Sequence, residues 1–369
     1  MTTIRTREPR ELLALIPYQL GFTPRDSAVA VSVRGERHRV GLVARVDLPD
    51  LSDPSCGPEL ARSLVGHLLA DGAASAVLVL YTDGPLPTVG DEAAHPAVAH
   101  FRGEAGPLLG EVAVWVVGPA GYRALGCEDP DCCPAQGRPL TDLQSTQVGA
   151  HMVVSGRQVV PSREDLVPTV EVPAGDRRAT RRAADRWAAR RADSLDPVSV
   201  HRWRRAGLAA WREDLARCAG EPGLAIEPTR LGRHLAALDD VLVRDAVLLG
   251  LVPGNGRLAD RVVAGYSGDE IGRALGAILD PVSGLAPDPV LVDPARHLLV
   301  QVAAHASRRR RAPALTLLGL MAWWEGDGAR AGIHLDRALG AREDYRLAVL
   351  LATTLASGMP PGWVRARGA

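Results

Sequence analysis

The chain contains no lysine and a single asparagine, Asn255. Arginine therefore carries all of its basic charge, and with 43 basic against 43 acidic residues the formal net charge is zero. Such a balance supplies no global field to attract nucleic acid or an anionic membrane surface. Abundant Ala, Gly and Pro accompany the missing lysine, a pattern that points to GC-rich coding, so arginine richness is not by itself a phosphate-binding signal. Without lysine there is no G-x-x-x-x-G-K-[ST] loop, and neither G-x-G-x-x-G nor G-x-S-x-G occurs. No window approaches the ~20 uninterrupted apolar residues of a spanning helix. The opening MTTIRTREPRELLALIPYQL is charged throughout, unlike a secretory signal. Five cysteines, with Cys56 and Cys218 far from the rest, do not make a disulfide framework. A soluble cytoplasmic protein without a membrane segment is expected.

What is present suits two domains in 369 residues. We expect an α/β domain over 1–165, with a mixed sheet, a hairpin and parallel strands at its centre, and an α-helical domain over 166–369. Glu11–Leu15 reads as a short helix ending near Pro17. Val29–Val33 and Val40–Leu48 read as a hairpin around Arg34–His38. In its second strand Val40, Leu42, Ala44, Val46 and Leu48 fall on one face and Val43, Arg45 and Asp47 on the other. Pro58–Asp71 is helical, with Leu60, Leu64 and Leu68 at i, i+4 spacing. Ala76–Thr82 and Val112–Val117 are continuous apolar runs of the kind buried on both faces. A helix over Asp91–Leu109 would connect them, and one over Asp142–Ser155 would close the domain. In open α/β sheets ligands lie outside the carboxyl ends of the strands. Asp26, Ser27, Arg45, Asp47 and Asp83 are the candidate ligand-binding residues at that edge; Asp83–Gly84–Pro85 also reads as a plain turn.

Three prolines between Val160 and Gly175 mark the boundary. Beyond it Arg178, Arg182, Arg186 and Arg190 recur every four residues along one helix face. With no net charge and little aromatic interleaving, a solvated face is expected there and nucleic-acid binding is not. Trp203 and Trp211 read as core anchors of an amphipathic helix behind Asp196–Pro197. Further helices are expected at Thr229–Leu238, Asp240–Leu251, Asp269–Leu279 and Pro294–Ala306. From Leu315 to Tyr345 the pattern resembles one tetratricopeptide unit of roughly 34 residues. A lone unit cannot bury its apolar face, so a helical bundle is the expected setting.

The chemically densest stretch is Tyr122–Thr141, YRALGCEDPDCCPAQGRPLT, with three of the five cysteines. Cys127, Cys132 and Cys133 are candidate metal ligands, but C-x₄-C-C supplies three ligands where structural zinc takes four. His151 is a candidate fourth. Adjacent residues in extended chain point to opposite sides, which separates Cys132 from Cys133. A disulfide from Cys127 would close a loop of about six residues, worth about 2 kcal/mol. Glu128, Asp129 and Asp131 disfavour a thiolate. Zinc, a reversible disulfide and a turn with free thiols all stay open, and no cofactor is required.

Taken together, PYQLGFTPRDSAVAVSV, ARVDLP, CEDPDCCPAQGRPL and the helical AWWEGDGARAGIHLDRALGAREDYRLAVLLATTLASGMPP resemble an uncharacterised family of high-GC Gram-positive bacteria, domain of unknown function 4192. The resemblance spans nearly the whole chain and implies no activity, cofactor or catalytic residue. Three readings follow. The first is a non-enzymatic regulatory or interaction protein whose helical half docks a protein partner or a second copy. The second is an enzyme or small-ligand receptor at the sheet edge. The third is a metal-stabilised or thiol-switch protein.

Overall fold

In the computed structural model, which describes residues 8–35, 39–86, 95–134 and 136–368, strand β1 (Ser27–Arg34) is buried along seven of its eight residues. A strand buried in this way needs a neighbour on each side and cover on both faces. It pairs antiparallel with β2 (Arg39–Asp47) and with β3 (Ala73–Tyr81). β3 pairs parallel with β4 (Ala113–Gly118), and β5 (Gly121–Ala124) adds antiparallel, giving the order β2-β1-β3-β4-β5. This is the expected mixed sheet with a parallel central pair. The turn at 36–38 and residues 91–94 of the expected 91–109 helix lie outside the described residues.

Alternation along the strands sorts side chains into two layers. Val29, Val31, Val79 and Tyr81 pack with Leu12, Leu13 and Ile16 of α1 (Pro9–Leu20). On the other face Ala28, Ala30, Leu78, Leu80, Val114 and Val116 join a cluster with three helices. Those are α2 (Leu48–Ser52), α3 (Gly57–Ala70) and α4 (Pro96–Leu109), contributing Leu51, Leu64, Leu68, Val98 and Phe101.

Three local expectations are corrected. Pro17 does not end α1 but sits inside it, and the helix closes at Gly21, whose φ of 81° is left-handed and whose N–H donates to the Pro17 carbonyl. Proline inside a helix costs about 3 kcal/mol; burial of Leu12, Leu13, Leu15 and Ile16 against the sheet offsets it. In β2, Val40 joins the Val43 side rather than the Leu42 side. The pairing slips between Val31 and Val33, an extra β2 residue forms a bulge, and the alternation changes phase. The expected 142–155 helix is two: α5 (Thr141–Gln144) and α6 (Gln147–Val154), the second capped by Thr146, which accepts the Gly149 N–H at 3.0 Å.

The chain divides into two compact units, Met1–Leu166 and Val167–Ala369. The second is all helical. It runs α7 (Ala174–Ala192), α8 (Pro197–Gly220), α9 (Pro228–Asp239), α10 (Val241–Gly250), α11 (Gly256–Val263) and α12 (Asp269–Leu279). It continues through α13 (Pro289–His305), α14 (Ala312–Trp324), α15 (Gly328–Ala341), α16 (Arg346–Ala356) and α17 (Gly362–Gly368). α13 starts earlier than expected and carries Pro294 internally, because Asp288 caps it at the Val290 N–H, 3.0 Å away. Arg178, Arg182, Arg186 and Arg190 are all exposed on α7, whereas Trp203 and Trp211 are buried. Every residue of α14 is buried, the mark of a helix apolar all round. The indole N–H of its Trp324 donates to the Leu285 carbonyl at 2.8 Å, and that of Trp363 donates to the Trp324 carbonyl at 2.7 Å.

A buried charge lies inside this unit. Asp214 of α8 is fully buried and accepts from His234 Nε2 at 2.7 Å and from Arg230 Nε at 2.8 Å. Burial alone would push its carboxyl up, but the hydrogen bonds from His234 and Arg230 outweigh that and hold it down at about 2. Asp214→Ala should lower the stability of the helical unit by about 2–3 kcal/mol in denaturant unfolding, because it leaves the buried His234 Nε2 without its acceptor while Arg230 and Arg217 keep Glu213 and Glu227. A depressed carboxylate stabilises above its unfolded pKa and loses that contribution as pH falls through the folded one. The Asp214 contribution should therefore be full at pH 5 and fade as pH falls from about 4 to about 2, with no such component in Asp214→Ala.

Candidate functional site

Because β1 runs antiparallel to β2 and β3, its amino end meets their carboxyl ends. Ser27 lies opposite both Asp47 and Tyr81, and Tyr81 opposite Val117. At this edge a cavity of about 730 Å³ opens between the strand ends, α1 and α5. Leu13, Ala14 and Pro17 of α1, Tyr81 and Val117 of the strands, and Leu140 and Leu143 around α5 give it an apolar lining. Polar groups come from Tyr18, Thr23, Arg25, Thr82, Asp83 and Gln144. Burial raises the Tyr81 phenol well above its ordinary value, so it stays neutral at physiological pH.

The five residues expected at this edge are brought together there, in two groups with different surroundings. Asp83 lines the cavity. Asp26 stands behind it. Its φ of 39° is the positive backbone angle that Asp tolerates better than most residues. In that conformation its carboxylate accepts the Asp83 N–H at 3.3 Å, and its carbonyl accepts the Leu48 N–H at 2.9 Å. One residue thus fixes the exits of both β2 and β3. The second group is a chain of contacts along the strand ends. Arg45 pairs with Asp47 at 2.7 Å and donates through Nε to Ser27 Oγ at 2.8 Å, and Ser27 Oγ donates to the Arg25 carbonyl. Ser27 is fully buried, so its hydroxyl serves the protein interior. Asp26, Ser27, Arg45 and Asp47 do not line the cavity; they hold Arg25 and Asp83, which do. Tyr18, Thr23, Arg25, Thr82 and Gln144 also line the cavity and are not among the expected site residues. Arg25 adjoins Asp26 in the FTPRDS turn, and that neighbourhood was the available signal.

The cysteine turn leaves the same sheet from β5. Asp129 folds it: its side chain accepts the N–H groups of Asp131 and Cys132 at 2.9 and 3.3 Å, and its carbonyl accepts that of Cys133 at 2.7 Å. The segment is therefore a tight turn and not extended chain, and the separation of Cys132 from Cys133 expected for extended residues does not occur. The sulfurs of Cys127, Cys132 and Cys133 all lie within 4.8 Å of one another, with Cys132 and Cys133 4.0 Å apart. His151, exposed on α6, is not part of this group. The charge of Asp129 disfavours the Cys127 thiolate as expected, but hydrogen bonds to the sulfur outweigh it. The Asp129 backbone N–H, and next the Cys133 thiol, hydrogen-bond to Cys127 and lower it below the ordinary thiol range. Burial pushes Cys133 up to about 11. Arg138 donates through Nε to the Cys132 carbonyl at 2.6 Å and exchanges backbone hydrogen bonds with Tyr122, which anchors the turn to β5.

The molecule thus joins an α/β unit, with a cavity at the carboxyl edge of its central strands, to an all-helical unit. The chain belongs to the family Domain of unknown function (DUF4192), which matches residues 9–265 and 286–362 and so takes in strand edge, cysteine turn and most of the helical unit. No curated protein and no solved structure matches it. Among the described residues no helix is long and apolar enough to cross a membrane.

The role given to Asp26 has a local readout. Asp26→Ala removes the acceptor for the Asp83 amide and keeps a side chain at positive φ, which should cost about 1–2 kcal/mol. Hydrogen exchange at the Asp83 and Leu48 amides should speed up several-fold while exchange in α3 stays unchanged. Asp26→Gly should restore Leu48 protection more than that of Asp83.

Proposed function

We propose that the α/β unit binds a small molecule in the cavity at the carboxyl ends of β3 and β4, and that the family's role is recognition rather than turnover. The observation that carries this is the cavity itself. It has about 730 Å³ of space, an apolar lining and two opposite charges, Arg25 and Asp83, at the sheet edge where α/β folds place ligands. A matching ligand has an apolar body over Leu13, Val117 and Leu143 and a polar end that meets a guanidinium and a carboxylate. Recognition is favoured over catalysis because the described lining residues pair no nucleophile with a histidine or other free base. Three clustered thiols suit a reducing compartment, which supports a cytoplasmic location.

Native mass spectrometry of the full chain incubated with a fractionated metabolite extract tests this reading. Wild type should retain a small molecule. Leu143→Trp, which fills the cavity, should abolish retention, and Asp83→Ala should weaken it by about 10-fold. Retention of nothing, or of compounds indifferent to both substitutions, contradicts it.

A second reading, docking of a second copy on the helical unit, is favoured by Val349 and Leu350, which are 42% and 55% exposed on α16. If it holds, light scattering across a concentration series should show association that Leu350→Asp abolishes.

A further inference from the structure

The cysteine turn is independent of the cavity reading and has chemistry of its own. We propose that Cys127, Cys132 and Cys133 form a three-thiolate site for one thiophilic d10 cation, zinc(II) or copper(I). Around an ion with metal–sulfur bonds of about 2.3 Å, ligand sulfurs stand roughly 3.8–4 Å apart. The Cys132–Cys133 separation is already 4.0 Å, and none of the three sulfurs is more than 4.8 Å from another. Closing on an ion therefore needs small side-chain rotations and no rebuilding of the backbone.

The backbone is set in advance by contacts that do not use the sulfurs. Asp129 organises the turn from within, Arg138 holds the Cys132 carbonyl from the side, and the Tyr122–Arg138 pairing ties the base of the turn to the sheet. Gly126, at φ 81°, supplies the left-handed step that brings Cys127 in. Two neighbouring cysteines meet in this way only because the Asp129 carbonyl accepts the Cys133 N–H and curls the chain back.

Charge and access also fit. Each thiol gives up its proton to solvent as its sulfur–metal bond forms, with no change of oxidation state. Three thiolates leave a net charge of −1 with zinc(II) and −2 with copper(I). The Arg138 guanidinium interacts electrostatically with Cys132 and Cys133 and offsets part of that charge, while Asp129 opposes charge on Cys127 until the cation itself neutralises it. Cys133 is buried, Cys127 is half-buried and Cys132 is exposed, so an ion can enter from the Cys132 side and rest against the protein. No carboxylate or imidazole joins the group among the described residues, so three sulfurs are its whole protein ligand set. Copper(I) accepts three sulfurs as they stand, whereas zinc(II) completes its tetrahedron with water or an outside ligand.

The test uses the full chain, reduced and stripped of metal under anaerobic conditions. Zinc(II) and copper(I) are titrated separately against a competing chromophoric chelator, with cadmium(II) as an ultraviolet probe of metal–thiolate bonds. One equivalent should bind, with a cadmium–thiolate band, and uptake of the preferred ion should slow hydrogen exchange further at the amides of Asp131, Cys132 and Cys133. Cys132→Ser and Cys127→Ser should each weaken binding by roughly 100-fold, while Cys56→Ser, at an exposed cysteine outside the group, leaves it unchanged. Circular dichroism of Cys132→Ser checks that its fold is intact. Wild-type binding no tighter than that of Cys132→Ser overturns the proposal. So does a protein that takes up neither ion and forms a disulfide between two of the three cysteines on exposure to air.

Discussion

The two-sided burial of β1 and β3 is the constraint on which the α/β unit depends. Seven of eight β1 residues are buried, and β3 is buried continuously over its last four. Such strands have no place at an edge, so β2 and β4 must flank them and helices must cover both faces. β1 enters antiparallel, as the first arm of a hairpin, and its amino end comes to lie among the carboxyl ends of β2, β3 and β4. Every polar residue just outside those ends is then gathered at one place. The cavity and the residues behind it follow from that topology.

Two aspartates organise what the topology gathers, each through both its carboxylate and its backbone carbonyl. Asp26 holds the exits of β2 and β3 together, and Asp129 curls the cysteine turn; each does so by accepting backbone N–H groups. The acids that stood out in the sequence thus include organisers of backbone as well as a residue that lines the cavity. Asp83 is of the second kind, since its amide is held by Asp26 and the residue lines the cavity. The Asp142–Ser155 stretch serves the same edge. It breaks at Thr146, and the short α5 before the break contributes Leu143 and Gln144 to the wall.

Much of the fold was legible in the sequence because its signals are local. The continuous apolar runs gave β3 and β4, the i, i+4 leucines gave α3, and the Asp196–Pro197 pair marked the start of α8. What escaped depends on partners distant in sequence. β5 has four residues, too few for a period, and exists because β4 offers it an edge. The face of Val40 depends on a bulge set by pairing with β1, and α1 runs past Pro17 because the sheet buries its side chains. The strand-end rule located Asp83, but Tyr18 and Arg25 meet Gln144 at the same cavity from over a hundred residues away in sequence. Convergence of the three sulfurs was hidden for a related reason. Spacing alone describes extended chain, and the Asp129 turn is not extended.

The central claim is that the carboxyl edge of β3 and β4 is a built binding site and not an incidental gap. Crystals of the full chain soaked with a chemically diverse fragment library test it most directly. Fragments should accumulate between α1, α5 and the ends of β3 and β4, with polar atoms on Arg25 or Asp83 and apolar rings over Leu13 and Leu143. A scatter of fragments over the surface, with this cavity empty, would contradict the account.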